Sequence, residues 1–288
     1  MTYSIVARDA ETGELGVAVQ SQAFNTGAAV PWARAGVGAV ATQSFTDRRY
    51  GWRGLELLAA GVPPQTALDE LRDADPLPSF RQVALLDRSG ETAQWTGPDC
   101  VPEAGHAAAA GWAAQGNMLA ADAWRAMGAA FEATAGSLAQ RLLAALEAAE
   151  ATGGDWRGRG GAGILVVPAE GEPWDRVVDL RVEEGDDSLV QLRRLLERAE
   201  GYRAATRARP AAPAAVAAGL PDAYVRFLAV IDAAATGDVE LGRRLLAELE
   251  ASQPRWRDAF RALARHPELP PLDEIVAAPP MARPPTTR

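Results

Sequence analysis

The stretch TYSIVARDAETGELGVAVQSQ, residues 2–22, decides the fold. Residues 3–8 predict a short β-strand, and residues 9–13 supply turn residues after it. From residue 15 to residue 20, bulky aliphatic side chains alternate with small or polar ones, which is the period of a strand with two different faces. The chain therefore starts with a β-hairpin.

The patterns that follow predict hairpins and helices in groups. Predicted strands cover residues 36–44, after a loop with Pro31 and Trp32, and then 81–87, 91–96, 111–115, 162–167 and 176–182. Predicted helices cover residues 52–60, 64–72, 118–131 and 137–152, and another begins at residue 188. Runs of hairpins between helix pairs favour an α/β (α+β) fold with two stacked antiparallel sheets and helices on each outer face, rather than alternating βαβ units.

The composition changes after about residue 201. We expect an α/β domain over 1–202, an Ala/Pro/Arg-rich linker over 203–220 and a small helical segment over 221–266. Residues 267–288 contain many prolines and are predicted to be partly disordered. Self-association or partner docking is the default role for the helical segment.

Charge and residue usage exclude several functions. The net charge of −9 argues against nucleic-acid binding, which requires a basic surface. The chain has no lysine, so mechanisms with a lysine base are excluded. Cys100 is the single cysteine and is interpreted as structural, and the two histidines lie far apart in sequence, so we expect no metal and no cofactor. The sequence shows neither a signal peptide nor a membrane span and predicts a cytoplasmic protein.

Thr2 is the most informative candidate residue. Removal of Met1 would expose its α-amine, which titrates near pH 8 or so. That amine can accept the proton of the threonine's own hydroxyl and so activate it as a nucleophile. This chemistry needs the nucleophile at the head of a strand, where Thr2 is predicted to lie. A Met-Thr start is also compatible with no catalytic role.

Five blocks of the sequence together resemble the DUF1028 family. They are TYSIVARDAETGELGVAVQSQ (2–22), VPWARAGVGAVATQS (30–44), YGWRGLELLAAG (50–61), QGNMLA (115–120) and GGDWRGRGGAGILVV (153–167). The resemblance extends from Thr2 to about Tyr202. It implies a place in the N-terminal-nucleophile (Ntn) hydrolase superfamily, with proteasome β-subunits as distant relatives, and therefore a four-layer αββα sandwich. It implies no particular substrate, and a homo-oligomer is compatible with the superfamily.

The resemblance also implies roles for individual residues. Thr2 takes the position of the nucleophile, and Ser21 that of a polar neighbour. Proteasome relatives use a lysine near the nucleophile, whereas the nearest cation here by position is Arg34, which cannot act as a base. Arg34 is a candidate for binding a substrate carboxylate, or for a loop salt bridge. Asp155 is expected either to pair with the α-amine or to cap a turn, and Arg157 to select a carboxylate.

Two segments are candidates for stabilising an oxyanion. In the first, Gln43 and Ser44 end a strand before a helix whose first N–H groups lack helical partners. In the second, Gly116 permits close approach and Asn117 offers an amide, although Gly-Asn is also an ordinary turn. These residues support an amidohydrolase of a small-molecule or peptide amide, with Thr2, Asn117 and Asp155 as catalytic residues. The alternative is a binding or scaffold protein without catalysis, and a serine–histidine–acid triad would have to recruit His106.

Overall fold

The computed structural model describes residues 2–207, 219 and 221–277. The chain divides into two compact units, residues 1–196 and 197–288. Most of the predicted linker at 203–220 lies outside the described residues, although its first residues continue a helix to Arg207.

Two antiparallel sheets form the first unit. The strands are β1 (Thr2–Arg8), β2 (Leu15–Ser21), β3 (Pro31–Arg34), β4 (Gly38–Ser44), β5 (Arg81–Asp87), β6 (Thr92–Thr96), β7 (Gly105–Ala109), β8 (Trp112–Asn117), β9 (Gly161–Val167) and β10 (Val178–Val182). The larger sheet has the order β10-β9-β2-β1-β8-β7, and the smaller sheet has the order β3-β4-β5-β6. β1 is an interior strand, since β2 and β8 pair with its two edges.

Helices connect the strands and build the second unit. The helices are α1 (Thr26–Ala29), α2 (Arg48–Ala59), α3 (Pro64–Asp73), α4 (Ala123–Ala133), α5 (Leu138–Ala151), α6 (Ser188–Arg207), α7 (Asp222–Thr236), α8 (Val239–Ser252), α9 (Trp256–Leu263) and α10 (Asp273–Ala277). Among the described residues, no helix combines the length and the apolar character that crossing a membrane requires.

The two sheets face each other through aliphatic side chains. Val6, Val17 and Val19 of the larger sheet pack against residues such as Ala39 and Leu86 of the smaller one. Helices cover the opposite faces: α4 and α5 pack on the larger sheet, and α2 and α3 on the smaller. The predicted mixture of helices and two antiparallel sheets is therefore confirmed.

Several features of the first unit differ from the sequence prediction, among them the unpredicted strand β7. Pro31 and Trp32 begin an edge strand rather than lie in a loop. A proline is tolerated there, because an edge strand has N–H positions that need no partner in the sheet. Helix α4 begins at Ala123 and not at residue 118, since Met118 and Asp122 have φ angles of 55° and 62°, outside the right-handed helical region.

Part of the predicted Pro-rich tail is helical. Residues 273–277 form α10, and Leu272, Ile275 and Val276 are buried in the core of the second unit. The spacing of these apolar residues gives the segment a face that packs against the other helices, which the number of prolines concealed. Residues 278–288 lie outside the described residues.

Asp75 is a buried carboxylate that joins α2 to the start of β5. Its Oδ2 accepts hydrogen bonds from Arg81 Nε at 2.7 Å and from the Tyr50 hydroxyl at 3.0 Å. The hydrogen bond from Arg81 is the main reason that the pKa of Asp75 is lowered to about 2. Folding therefore favours the ionised form of this side chain.

The stability of the protein should consequently fall in acid. Because the pKa is lower in the folded than in the unfolded protein, the ionised carboxylate stabilises the folded state at pH values above the unfolded-state pKa, which is near 4. This stabilisation is lost as the pH falls towards 2. We expect about 2 kcal/mol of unfolding free energy to be lost over that interval through Asp75. Urea unfolding at several pH values measures it: Asp75→Asn should be less stable at pH 6 and show a flatter pH dependence. Asp69→Asn, at a half-exposed ion pair with Arg72, should leave the pH dependence unchanged.

Candidate active site

The layer between the sheets changes from aliphatic to polar at the end where β1 begins. The inward-facing positions there carry hydroxyl and amide side chains that are at most 8% exposed: Thr2, Ser4, Ser21, Gln43, Gln82, Gln115 and Asn117. We call these seven residues the polar cluster. Buried polar groups are costly unless they are hydrogen-bonded, so such a concentration needs a reason other than packing.

Thr2 is held from both sides. Its main chain lies between β2 and β8, directly opposite Asn117 of β8. Its Oγ1 donates a hydrogen bond to Ser21 Oγ at 3.1 Å, and its carbonyl oxygen accepts one from Gln43 Nε2 at 3.0 Å. The structure thus places the predicted nucleophile at the head of an interior strand, in contact with two residues that the sequence analysis assigned to the site.

Gln82 organises the cluster, and the sequence analysis did not identify it. Its Nε2 donates to the carbonyl oxygens of Gly116 at 2.7 Å and Gly105 at 3.1 Å. Carbonyl oxygens only accept, so the amide orientation of Gln82 is determined by this network. Its Oε1 therefore accepts from Gln43 Nε2 and Asn117 Nδ2, both at 2.8 Å, and sets the orientation of those two amides in turn.

A chain of hydrogen bonds extends from Gln82 to the surface. Gln82 Nε2 also lies 3.0 Å from Thr96 Oγ1, and Thr96 Oγ1 lies 2.8 Å from Nδ1 of His106 on β7. Partial desolvation of the ring lowers the pKa of His106. The ring contacts a threonine of the neighbouring sheet rather than a serine nucleophile, so these contacts do not assemble the triad that was considered from the sequence.

Asp155 and Arg157 lie beside Ser21. The buried Asp155 carboxylate accepts hydrogen bonds from the main-chain N–H groups of Gln22 at 3.0 Å and Arg157 at 2.8 Å. It also forms an ion pair with the Arg157 side chain at 3.2 Å. Arg157 Nη2 also donates to Ser21 Oγ at 3.3 Å. Asp155 thus makes the contacts of a turn cap, and Arg157 and Ser21 connect it to Thr2.

Arg34 does not reach this cluster. It pairs with Gly38 at the beginning of β4, whereas Gln43 lies five residues further along the same strand. At the rise of an extended strand, those five residues separate the two positions by about 17 Å. Arg34 therefore lies at the opposite end of the smaller sheet. Its predicted place in the site with Thr2 is corrected, because the two residues lie at different ends of the unit.

Ser44 and the segment after it also differ from the prediction. The Ser44 hydroxyl lies beside the thiol of Cys100 rather than beside Thr2, and the pKa of that thiol is raised mainly by burial. The N–H of Phe45 donates to the carbonyl oxygen of Phe80, and α2 begins only after its N-cap residue Asp47. The N–H groups of Phe45, Arg49 and Tyr50 at this turn are therefore already engaged, the last two in contacts with the N-cap residue.

Gly116 is needed for packing on the other face of β8. A Cβ at this position would lie 2.1 Å from Leu119 Cδ1 and 3.4 Å from Tyr3 Cβ, both on the helix-facing side. Its carbonyl oxygen, as described, accepts from Gln82. The structure therefore links Gly116 to the polar cluster through Gln82.

Backbone strain occurs at the same end of the sheets. Asn25, Ser44 and Met118 have φ angles of 56°, 67° and 55°. Ser44 is the last residue of β4, and Asn25 and Met118 come after the ends of β2 and β8. Residues other than glycine rarely adopt positive φ, and where they do the strain is commonly found at functional sites. The backbone strain therefore indicates, independently of the polar cluster, that this end of the unit is a candidate functional site.

A groove of about 330 Å³ lies elsewhere, between α2 and α3. Trp52, Leu57 and Leu71 contribute to its lining, and its charged residues pair locally, as in the Asp47–Arg49 ion pair. No group of three or more His, Cys, Asp or Glu side chains in the described ranges is arranged to hold a metal ion. Neither feature adds chemistry to the Thr2 end.

Comparisons with known proteins confirm the resemblance to the DUF1028 family. A family model described as a family of unknown function, DUF1028, matches residues 2–192. A crystal structure of a DUF1028 protein from Silicibacter pomeroyi is similar to the chain at 31% identity and a TM-score of 0.63, over 71% of this chain and 89% of that chain. No curated protein matches the chain. Since the family model covers most of the sequence, the chain belongs to the DUF1028 family.

Proposed function

We propose that this protein is an amidohydrolase of the Ntn type, in which Thr2 attacks a small amide or peptide bond after removal of Met1. The observation that carries the proposal is the Thr2 hydroxyl at the head of β1, 3.1 Å from Ser21 Oγ and inside the polar cluster. Two antiparallel sheets with helices on both outer faces also suit the four-layer αββα sandwich of Ntn hydrolases.

The α-amine of Thr2 is the base in this proposal, since the chain contains no lysine. It accepts the hydroxyl proton, directly or through a water, as Oγ1 attacks the carbonyl carbon. We assign the oxyanion to the Asn117 amide, one hydrogen of which is donated to Gln82. Asn117 lies directly opposite Thr2, where the Cβ atoms of paired residues are about 4.5–5.5 Å apart.

The remaining steps balance as a hydrolysis. The ammonium group of Thr2 protonates the leaving nitrogen, the C–N bond breaks, and the acyl group stays on Oγ1 as an ester. A water that loses its proton to the same amine then attacks the ester carbonyl. The products are a carboxylic acid and an amine, and the Thr2 hydroxyl is restored.

The alternative proposal is a binding protein that has this fold and no catalysis. Two observations favour it: the chain has no lysine, and Asp155 and Arg157 neutralise each other. The two proposals differ in what they require of the N-terminus, because only catalysis needs a primary amine on Thr2.

The mass of the purified full-length protein, followed by an assay of amine release from a panel of small amides, separates the two proposals. We expect a chain that begins at Thr2 and releases amine from at least one of the amides. A preparation that retains Met1 and hydrolyses nothing would contradict the amidohydrolase and favour the binding protein.

A further inference from the structure

Exposed aromatic side chains surround the Thr2 end of the first unit. Phe24, Phe45 and Trp156 are 70%, 58% and 58% exposed. Each lies within three positions of Ser21, Gln43 or Asp155 in the sequence. We call these three side chains the aromatic rim.

Contacts between neighbouring residues join the two loops that carry Phe24 and Trp156. The N–H of Gln22 donates to Asp155, and a Cβ at Gly160 would lie 2.2 Å from the carbonyl oxygen of Gln22. The loop with Phe24 therefore packs tightly against the loop with Trp156. Phe45 is positioned separately, by an edge-to-face contact with Phe80 at a centroid distance of 5.4 Å.

A cation lies close to the nucleophile and next to a member of the rim in the chain. The Arg157 side chain is 40% exposed, follows Trp156 in the chain, and donates to Ser21 Oγ, which in turn contacts Thr2 Oγ1. A molecule on Thr2 would thus be within reach of a guanidinium group, whose planar donors match the two oxygens of a carboxylate. Arg157 also pairs with the buried Asp155 carboxylate at 3.2 Å, so a carboxylate of the bound molecule would share this guanidinium group with Asp155 and approach it from its exposed side.

Exposed aromatic groups near a site also indicate which kind of chemical group binds there. A single exposed apolar side chain is ordinary, but several around a polar centre are typical of a surface that binds an apolar group. Aromatic rings and one charged residue together match the usual lining of small-molecule sites, which are mostly apolar with a few polar groups that fix orientation.

We infer that the Thr2 site takes N-acyl amino acids, that is, molecules with one amide bond, one aromatic or other apolar group and one free carboxylate. The apolar group packs on the aromatic rim, and the carboxylate pairs with Arg157. This inference rests on the proposed function for its hydrolytic step, in which water converts the amide to a carboxylic acid and an amino acid. The binding preference is tested separately from that step.

Calorimetric binding to full-length Thr2→Ala protein tests the preference without turnover. N-phenylacetylglycine is the probe, N-acetylglycine lacks the aromatic group, and phenylacetylglycinamide lacks the carboxylate. We expect the first to bind and each of the others to bind roughly tenfold more weakly or worse. Phe24→Ala and Trp156→Ala should weaken binding of the probe by about tenfold. Arg157→Gln should remove the difference in affinity between N-phenylacetylglycine and its amide.

Two matched controls should leave binding unchanged. Trp174 is 72% exposed and lies in the loop after β9, at the end of that strand away from Thr2. Trp174→Ala therefore removes an exposed tryptophan that is not part of the rim. Arg159 lies two residues from Arg157 but pairs with Glu150, so Arg159→Gln removes a neighbouring cation.

Several results would overturn the inference. These are undetectable binding of the probe, equal affinity for the three compounds, or an equal effect of Trp174→Ala. A dimer that becomes a monomer in Phe24→Ala or Trp156→Ala would instead make the rim a subunit interface. Selective binding without hydrolysis by the wild-type protein would refute the proposed function alone, whereas hydrolysis without selectivity would refute the substrate class alone.

Discussion

Replacement of Thr2 by alanine should abolish amide hydrolysis and leave the protein folded. The substitution removes the attacking oxygen, and the loss of a nucleophile lowers kcat/KM by about a thousandfold or more. The main-chain pairing of β1 with β2 and β8 remains, so the lost hydrogen bond to Ser21 should lower the unfolding free energy by about 1 kcal/mol. Thr2→Ser retains a hydroxyl and should keep measurable activity.

Thr42→Ala is the matched control for this substitution. Thr42 is also a buried threonine, but its hydroxyl donates to the carbonyl oxygen of Asp47, away from the polar cluster. It should lose a similar amount of stability and keep its activity. If Thr2→Ala hydrolyses amides as well as Thr42→Ala does, Thr2 is not the nucleophile.

Substitution of Gln82 should have the second large effect, on stability and activity together. Gln82→Glu keeps the shape of the side chain and its acceptor oxygen, but a carboxylate cannot donate to the carbonyl oxygens of Gly116 and Gly105, and a neutral carboxyl group can donate to only one of them. It also places a carboxyl group in a fully buried position. We expect the unfolding free energy in urea to fall by about 3–5 kcal/mol, because buried groups lose their partners.

The corresponding change at Gln94 shows what one hydrogen bond contributes. Gln94 lies on β6 and donates through Nε2 to the carbonyl oxygen of Ala114 at 3.0 Å. Gln94→Glu should therefore cost about 1–3 kcal/mol and spare the activity. A similar loss of stability in the two variants would mean that Gln82 is not the centre of the network.

The sequence predicted the sheets well where one strand face differs from the other. The hairpin of β1 and β2 follows from the alternation of residues 15–20, and both strands occur in the structure. The edge strand β3 was missed because its first residue is Pro31, which is typical of loops. The late start of α4 depends on positive φ at Met118 and Asp122, and residues of these types do not reveal that conformation in a sequence.

The sequence predicted some residues of the candidate site and missed or misplaced others. Family blocks led to Thr2, Ser21 and Asn117, which the structure brings together. Arg34 is close to Gln43 in sequence, yet the β3–β4 hairpin carries them to opposite ends of a strand. Gln82 could have been found from strand parity, since it shares the inward face of β5 with Ala84 and Leu86 and is the polar member of that row.

The activation of Thr2 can be measured before any substrate is known. The full-length protein is treated with a β-lactone, an electrophile that acylates activated threonine hydroxyl groups, and the adduct is located by peptide mass mapping, with Thr2→Ala as the control. We expect a chain that begins at Thr2 and carries one adduct on that residue, with no adduct on Thr2→Ala. A chain that begins at Thr2 and is never labelled, or is labelled equally in Thr2→Ala, would contradict this expectation.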